Sequence, residues 1–245
     1  PTSAGILAPD PIGAAVIDYA RTQTRVIQAG AQTVPMTSKS LGLIKVTGVH
    51  TPHWVGENEA FTTSEMTFGL VNLQARKQGI LCKVSIEAWE DATNLSEMIS
   101  DAIAKDMAVG LDFAALYGSG AEHEPLGLKN TTGIQTIDCS NGALTDYSKF
   151  AEAWQKIQEY NGPAEGQTVI MHPELAGDID QLQEATEAQP LLPPPSWASI
   201  RKLVSTQVSN ATGTGSANKE AFQGVFSEMV IGVRTALEIE AFREA

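Results

Sequence analysis

Residues 54–91 read WVGENEAFTTSEMTFGLVNLQARKQGILCKVSIEAWED, and the last third of this segment alternates between apolar and polar side chains. Within 80–88 the even-numbered residues are apolar, and the residues between them include Lys83, Ser85 and Glu87. A period of two is typical of a strand that buries one face. A second β-prone run lies at 68–73, and the polar residues 76–79 separate the two runs. We therefore predict a long two-stranded hairpin that bends at 76–79.

A hairpin of this length needs an external surface to pack against. An isolated two-stranded ribbon is only marginally stable in water, and its edges offer unpaired backbone groups to another chain. The large aromatic residues Trp54 and Phe61 are difficult to bury on so thin an arm, which indicates contact with a second subunit. We therefore expect residues 51–79 to form an arm that lies over another copy of the chain.

A long amphipathic helix is predicted directly after the hairpin. Asn94 and Glu97 have the spacing of a capping box, and Asp91 places negative charge near the helix N-terminus. Apolar residues then recur every three or four positions up to Tyr117. Gly118 follows, and glycine readily adopts the left-handed conformation that ends a helix. A helix over 94–117 would be about 36 Å long at ~1.5 Å per residue.

The rest of the chain has the patterns of mixed α and β structure. Helices are predicted at 12–22, 147–160 and 173–187. Strands are predicted at 43–49, 168–171, 203–208, 224–226, 229–233 and 236–239.

Composition excludes several classes of function. The net charge is −13, from 29 acidic and 16 basic residues, which argues against strong direct binding of nucleic acid. No apolar run reaches the ~20 residues that cross a membrane, and no secretory signal is present. Cys82 and Cys139 do not form a disulfide framework, and Cys82 lies on the apolar face of its predicted strand.

Few residues suggest catalysis or metal binding. His50 and His53 could begin a metal site, but such a site needs three or four ligands and a second shell. Ser119 lies near His123, as a nucleophile lies near its base, yet it follows a helix and lacks the strand-to-helix elbow of hydrolases.

The glycine-rich loop and the paired carboxylates are also expected to have structural roles. Gly213 and Gly215 lie in a flexible loop without the signature of a phosphate-binding loop. The carboxylate pairs Glu57–Glu59 and Glu90–Asp91 are expected to be solvated or to cap the helix. We predict no catalytic residue, no metal and no cofactor.

The order of these features resembles that of the major capsid proteins of tailed bacteriophages, which have the Hong Kong 97-type fold. The resemblance covers nearly the whole chain and is carried by Trp-Val-x-Glu from Trp54, Val-Ser-Ile-Glu from Val84 and Tyr-Gly-Ser-Gly from Tyr117. The segment Pro125-Leu126-Gly127-Leu128 and the opening Ala-Gly-Ile-Leu-Ala-Pro from Ala4 add to it.

The resemblance implies an α+β fold with five regions. They are an N-terminal arm at 1–50, an extended β-hairpin loop at 51–80, a peripheral domain at 81–143 with a spine helix at 94–117, an axial domain at 144–227, and a return into the peripheral domain at 228–245. The strand-rich tail of the family is missing after this point, so we expect its pairing strands to be exposed or swapped. Some family members crosslink a lysine of the arm to an asparagine of the tail. Residues 60–64 contain no lysine, so we expect non-covalent stabilisation.

The function implied by the resemblance is structural, not enzymatic. The protein would be a phage or prophage virion protein that assembles in the host bacterial cytoplasm into pentamers and hexamers of an icosahedral shell. Its partners would be copies of itself, with scaffold, protease, portal or decoration proteins, and packaged double-stranded DNA without sequence-specific contact; no membrane is involved. The expected arm contacts between subunits are Trp54, Glu57, Phe61, Phe68, Arg76 and Lys77.

Two alternatives remain open. An encapsulin-like compartment shell would share the fold but enclose an enzyme. A hydrolase would use Ser119 and His123.

Overall fold

The computed structural model describes residues 24–48, 50, 52–60, 63, 65–85, 95–139, 144–184, 189–210 and 219–235. The helices are α1 Arg25–Gln28, α2 Leu95–Tyr117, α3 Ser148–Glu159, α4 Pro173–Asp180 and α5 Pro195–Ser199, with 3₁₀ turns at Leu128–Asn130 and Phe226–Glu228. The strands are β1 Gln32–Pro35, β2 Ser40–Val46, β3 Phe68–Gln74, β4 Thr168–Met171, β5 Arg201–Val204, β6 Ala221–Gly224 and β7 Val230–Val233.

The described chain forms two compact units. One unit contains Val34–Ala75 and Gly232–Thr235, and the other contains the described residues that remain. The first unit is built on the hairpin of β2 and β3, and the second on α2 and the sheet of β4, β5 and β6.

The long hairpin has a different strand partner from the one predicted. Strand β3 pairs with β2 in antiparallel register, from Ser40 opposite Gln74 to Val46 opposite Phe68. The predicted pairing of 68–73 with 80–88 is therefore wrong: residues 80–85 are not in a strand, and 86–88 lie outside the described residues. The apolar pairs Leu41–Leu73 and Leu43–Val71 match the two strands on one face.

The long helix forms as predicted, over Leu95–Tyr117; Asp91 and Asn94 lie outside the described residues. Its buried side carries small side chains, including Ala104 and Ala108, followed by Leu116. Gly118 follows the helix, and its N–H donates to the Ala114 carbonyl oxygen at 3.0 Å. A Cβ at Gly118 would collide with the carbonyl oxygen of Pro125, so this close approach requires glycine.

Strand β4 is the centre of a three-stranded sheet and is buried along its whole length. It pairs in parallel with β5 and antiparallel with β6. Because side chains alternate along a strand, β4 contributes to two apolar clusters. Ile170 packs with residues that include Val26 and Leu116, whereas Val169 and Met171 pack with residues that include Trp197.

The other predicted elements are confirmed in part. The helix expected at 147–160 and the strands expected at 168–171 and 229–233 are present. The prediction at 43–49 corresponds to β2. The prediction at 203–208 is wrong beyond residue 204, where β5 ends, and the one at 224–226 shares only Gly224 with β6, because Phe226 begins a 3₁₀ turn. Helix α4 ends at Asp180 rather than at 187, because Gln183 leaves the helix and pairs with Pro190. The elements expected at 12–22 and 236–239 lie outside the described residues.

Candidate intersubunit surface

The two faces of the β2–β3 hairpin differ in burial. Leu41, Leu43 and Leu73 lie on one face and are half-buried. Val71, on the same face, is 44% exposed. The opposite face carries two apolar cross-strand pairs, Ile44–Leu70 and Val46–Phe68. The exposed fractions of Ile44, Leu70, Val46 and Phe68 are 76%, 73%, 50% and 63%. We call these four residues the hairpin patch.

The hairpin patch is the strongest sign of a binding surface on the arm. Single exposed apolar residues are ordinary, but a contiguous group of large ones indicates a contact with another molecule. Sequence reasoning had selected Phe68 and missed Ile44, Val46 and Leu70. The apolar residues within 40–46 could have indicated this surface, but their face is defined only by the pairing of β2 with β3.

The other predicted contact residues are exposed wherever the structure describes them. Trp54 is fully exposed. A turn follows it, in which the N–H of Gly56 donates to a Glu59 carboxylate oxygen and the N–H of Glu59 donates to the Gly56 carbonyl oxygen, both at 3.2 Å. Glu57, Arg76 and Lys77 are exposed, and Phe61 lies outside the described residues. Among the predicted contact residues that the structure describes, the hairpin patch contains Phe68.

Helix α2 exposes a second apolar surface. Met98, Val109 and Phe113 are exposed large apolar side chains, and the exposed Ala102 lies between them at helical spacing. We call these four residues the helix stripe. The charged residues beside it are Asp101, Lys105 and Asp106; Lys105 and Asp101 form an ion pair at 3.0 Å.

Buried polar contacts hold the start of α1 against α2. The carboxylate of Asp112 accepts hydrogen bonds from the N–H groups of Arg25 at 2.9 Å and Val26 at 3.0 Å. The first N–H groups of a helix have no acceptor within the helix, and Thr24 supplies no side-chain cap, so Asp112 takes that role here. Burial raises the pKa of Asp112, although the two backbone hydrogen bonds oppose that rise.

A second network joins the end of α2 to residues 209 and 220. The Tyr117 hydroxyl donates to Glu220 at 2.7 Å and accepts from the Ser209 N–H at 2.9 Å. Lys129 pairs with the same carboxylate at 2.6 Å and lies 5.1 Å from the centre of the Tyr117 ring. Desolvation by burial, with the nearby Glu220, raises the pKa of Tyr117.

Ser119 is engaged in a turn. Its hydroxyl donates to a carboxylate oxygen of Glu124 at 2.6 Å, and its N–H donates to the same oxygen at 3.2 Å. These hydrogen bonds lower the pKa of Glu124. The arrangement supports the turn that was predicted for Gly118 to Gly120 and gives Ser119 a carboxylate partner in place of the His123 base of the hydrolase alternative.

The described residues contain no group of three histidine, cysteine, aspartate or glutamate side chains that would hold a metal ion. Within the same ranges, no helix is both long enough and apolar enough to cross a membrane.

Comparison with known proteins identifies the family to which this fold belongs. The model of the phage capsid family matches residues 4–245. The chain belongs to the phage capsid family. The major capsid protein of Klebsiella oxytoca phage phiKO2 is 28% identical over 128 residues, which cover 52% of this chain and 30% of that relative's length.

Solved structures confirm the fold of this phage capsid protein. The capsid of an empty GTA particle matches with a TM-score of 0.68 at 16% identity, covering 88% of this chain and 78% of the other. Mycobacterium phage Bobi matches with a TM-score of 0.65 at 21% identity, covering 87% and 72%. The predicted α+β, Hong Kong 97-type capsid fold and the family resemblance are thus confirmed.

Proposed function

We propose that this member of the phage capsid family is the major capsid protein of a tailed phage or prophage. Copies of the chain assemble into a closed icosahedral shell that encloses double-stranded DNA. The observation that carries the proposal is the family match over 4–245. The exposed hairpin patch supports it, because a subunit that works alone gains nothing from such a surface.

The mechanism is geometric. Each subunit lays its arm over a neighbour, and the spine helix α2 and the axial region set the curvature of the shell. Burial of one large aliphatic or aromatic side chain contributes ~1.5–3 kcal/mol before the costs of ordering and association. Contacts between unlike surfaces of successive subunits close into rings, which gives the pentamers and hexamers. Trp54, Glu57, Phe61, Arg76 and Lys77 join Phe68 at these contacts.

The proposal extends to location and partners. The shell is assembled in the bacterial host cytoplasm, with scaffold, protease, portal or decoration proteins as further partners. The net charge of −13 disfavours tight binding of phosphate groups, so packaged DNA slides along the shell wall without sequence-specific contact. The protein acts without catalytic residues, metal or cofactor, and its contacts are non-covalent.

The alternatives have less support. A compartment shell would share the fold, but the similar structures described above are phage proteins and GTA capsids. A hydrolase would need a base beside Ser119, whereas the structure gives its hydroxyl to Glu124. Loss of a measured hydrolytic activity in Ser119→Ala would favour the hydrolase.

The test is assembly of the full-length gene product. We expect negative-stain electron microscopy to show closed shells, or rings of five and six, with matching species in sedimentation velocity. A denaturing gel of mature particles should show single subunits. A strict monomer across a range of salt and pH would contradict the shell function, and a covalent ladder would contradict non-covalent stabilisation.

A further inference from the structure

We infer that residues 190–195 of one subunit, the proline segment, dock in a groove of a neighbouring copy that lies between the C-terminal end of α2 and residues 206–210. This inference rests on the proposed shell function and names a contact outside the arm. Four observations support it: the conformation of the proline segment, the lining of the groove, the charges around both, and their positions relative to β5.

The conformation of the proline segment is set by its sequence, Pro-Leu-Leu-Pro-Pro-Pro, which leads into α5. Proline fixes φ near −65°, and a residue that precedes proline is held in the extended region. These restraints favour a polyproline II helix, and Pro194 has φ −65° and ψ 154°, close to the values of that helix. A segment that is already ordered loses less entropy when it binds.

Burial along the proline segment follows the three-residue period of a polyproline II helix. Leu191 and Pro194, which are three residues apart, are half-buried. The N–H of Leu191 donates to the Leu182 carbonyl oxygen at 2.8 Å, which holds this edge against the subunit. The exposed residues are Pro190, Leu192, Pro193 and Pro195, and 84% of Leu192 is exposed. The outer edge is therefore a rigid apolar ridge, and aromatic-lined grooves recognise such ridges.

An open groove of about 440 Å³ lies at the C-terminal end of α2. We call it the aromatic groove, because Phe113 and Tyr117 line it with stacked rings whose centroids are 5.5 Å apart. The other lining residues are Lys129, Thr206, Gln207, Val208, Ser209 and Asn210. Half of Phe113 is exposed, so its ring can receive a ligand. A polyproline II ligand needs aromatic rings for its prolines and nearby donors for its carbonyl oxygens, and this groove offers both.

Charge favours the same pairing. Residues 181–189, which lead into the proline segment, include Glu184 and Glu187 and no basic residue. The lining of the aromatic groove contains the exposed base Lys129 and no acid. Its ammonium group pairs with Glu220 and has further protons to donate. Acidic residues beside the ligand and a base beside the receptor favour one orientation of the contact.

The proline segment and the aromatic groove lie at opposite ends of β5. Strands β4 and β5 are parallel, so the chain between them, which contains α4 and the proline segment, returns to the start of β5. Residues 206–210 follow the end of β5, which is about 13 Å away at ~3.3 Å per residue. The proline segment of a subunit therefore lies away from its own groove. Its contact with a second copy joins unlike surfaces and can repeat around a ring.

Crosslinking between two populations of the full-length chain tests this contact. Both populations carry Cys82→Ser and Cys139→Ser, because these two thiols are free and exposed. One population carries Leu192→Cys and the other Thr206→Cys, and the two are co-assembled and treated with a short bismaleimide. We expect a dimer band from the mixture that neither population gives alone, since the contact joins different surfaces of two copies.

Two matched variants make the test specific. Ser199→Cys replaces Leu192→Cys in the first control, because Ser199 is exposed but lies outside the proline segment, and it should give a several-fold lower yield of dimer per assembled subunit. Phe113→Ala, added to the Thr206→Cys population, removes one ring of the aromatic groove and should also lower the yield several-fold. Met98→Ala, at an exposed apolar residue of the same helix outside the groove, should leave the yield unchanged.

The outcomes separate the docking from the function. Shells without a Leu192–Thr206 crosslink would overturn the docking while the shell function stands. An equal yield from Ser199→Cys would overturn the choice of segment, and an unchanged yield with Phe113→Ala would overturn the choice of groove. If the Leu192→Cys population does not assemble, Gln189→Cys, an exposed residue beside the segment, replaces it and should give the same dimer. Absence of shells or rings from the unmodified chain would overturn the shell function itself.

Discussion

Replacement of Asp112 by alanine should destabilise the subunit, because it removes both acceptors for the first N–H groups of α1. The hydrogen bonds from Arg25 and Val26 are 2.9 and 3.0 Å long, and the carboxylate is buried. A hydrogen bond to a charged group contributes ~1.5–3 kcal/mol, so two bonds set an upper limit of about 6 kcal/mol. The burial that raises the pKa of Asp112 offsets part of this gain. We expect a loss of about 2–3 kcal/mol in the free energy of unfolding.

Thermal unfolding of the unassembled subunit, followed by circular dichroism, measures the effect. For a chain of this size, a loss of 1 kcal/mol lowers the Tm by ~2–4 °C, so Asp112→Ala should lower it by about 4–12 °C. The matched control is Asp106→Ala, since Asp106 is an exposed acid of the same helix and its replacement should change stability by less than ~0.5 kcal/mol. Equal shifts for the two variants would refute the assignment of Asp112 as a cap for α1.

The pH dependence of the stability that Asp112 confers has a defined sign, which a comparison of the unmodified protein with Asp112→Asn measures. The pKa of Asp112 is raised above its ordinary value of 3.8 in the folded state. The pH-dependent part of its contribution to stability is therefore complete below the unfolded pKa and is lost as the pH rises through the folded pKa. Compared with Asp112→Asn, the unmodified protein should lose stability as the pH rises from the unfolded to the folded pKa of Asp112. The difference in stability between the two proteins should stay constant at higher pH. If the unmodified protein instead gained stability relative to Asp112→Asn as the pH rises, burial would not be the dominant cause of the pKa shift.

Three further substitutions test other local contacts. Tyr117→Phe removes the hydroxyl that accepts from the Ser209 N–H and should lower the free energy of unfolding in urea by about 1–3 kcal/mol. Tyr160→Phe, at an exposed site, should lower it much less, and equal losses would contradict the network. Gly118→Ala places a Cβ against the Pro125 carbonyl oxygen and should lower the unfolding midpoint. Gly177→Ala should raise the midpoint, because a Cβ there meets nothing within 4 Å. A raised midpoint for both variants would contradict the close approach at Gly118. Ser119→Ala removes the hydroxyl donor and should raise the pKa of Glu124 towards its ordinary value in an NMR titration. An unchanged pKa would show that the hydroxyl hydrogen bond does not lower it.

Local patterns were sufficient to predict the elements that are regular over many residues. Helix α2 has a period near 3.6 and a glycine at its end, so its course depends on neighbours along the chain. Strand β4 is an apolar run bounded by polar residues, and its burial follows from its composition. The order of such elements was also enough to identify the capsid fold, because that order and spacing are characteristic of the family.

The tertiary structure decided which strands pair and which residues meet. Sequence reasoning paired β3 with the nearest β-prone run, because short connections are common, whereas its partner β2 lies across residues 47–67. The face that carries Ile44 and Leu70 is defined only by this register, since a shift of one residue would turn both side chains over. Asp112 reaches backbone donors 86 and 87 residues away, and Tyr117 contacts residues 92 and 103 positions away. Such contacts leave no periodic trace in the sequence, because they depend on where distant segments of the chain come together.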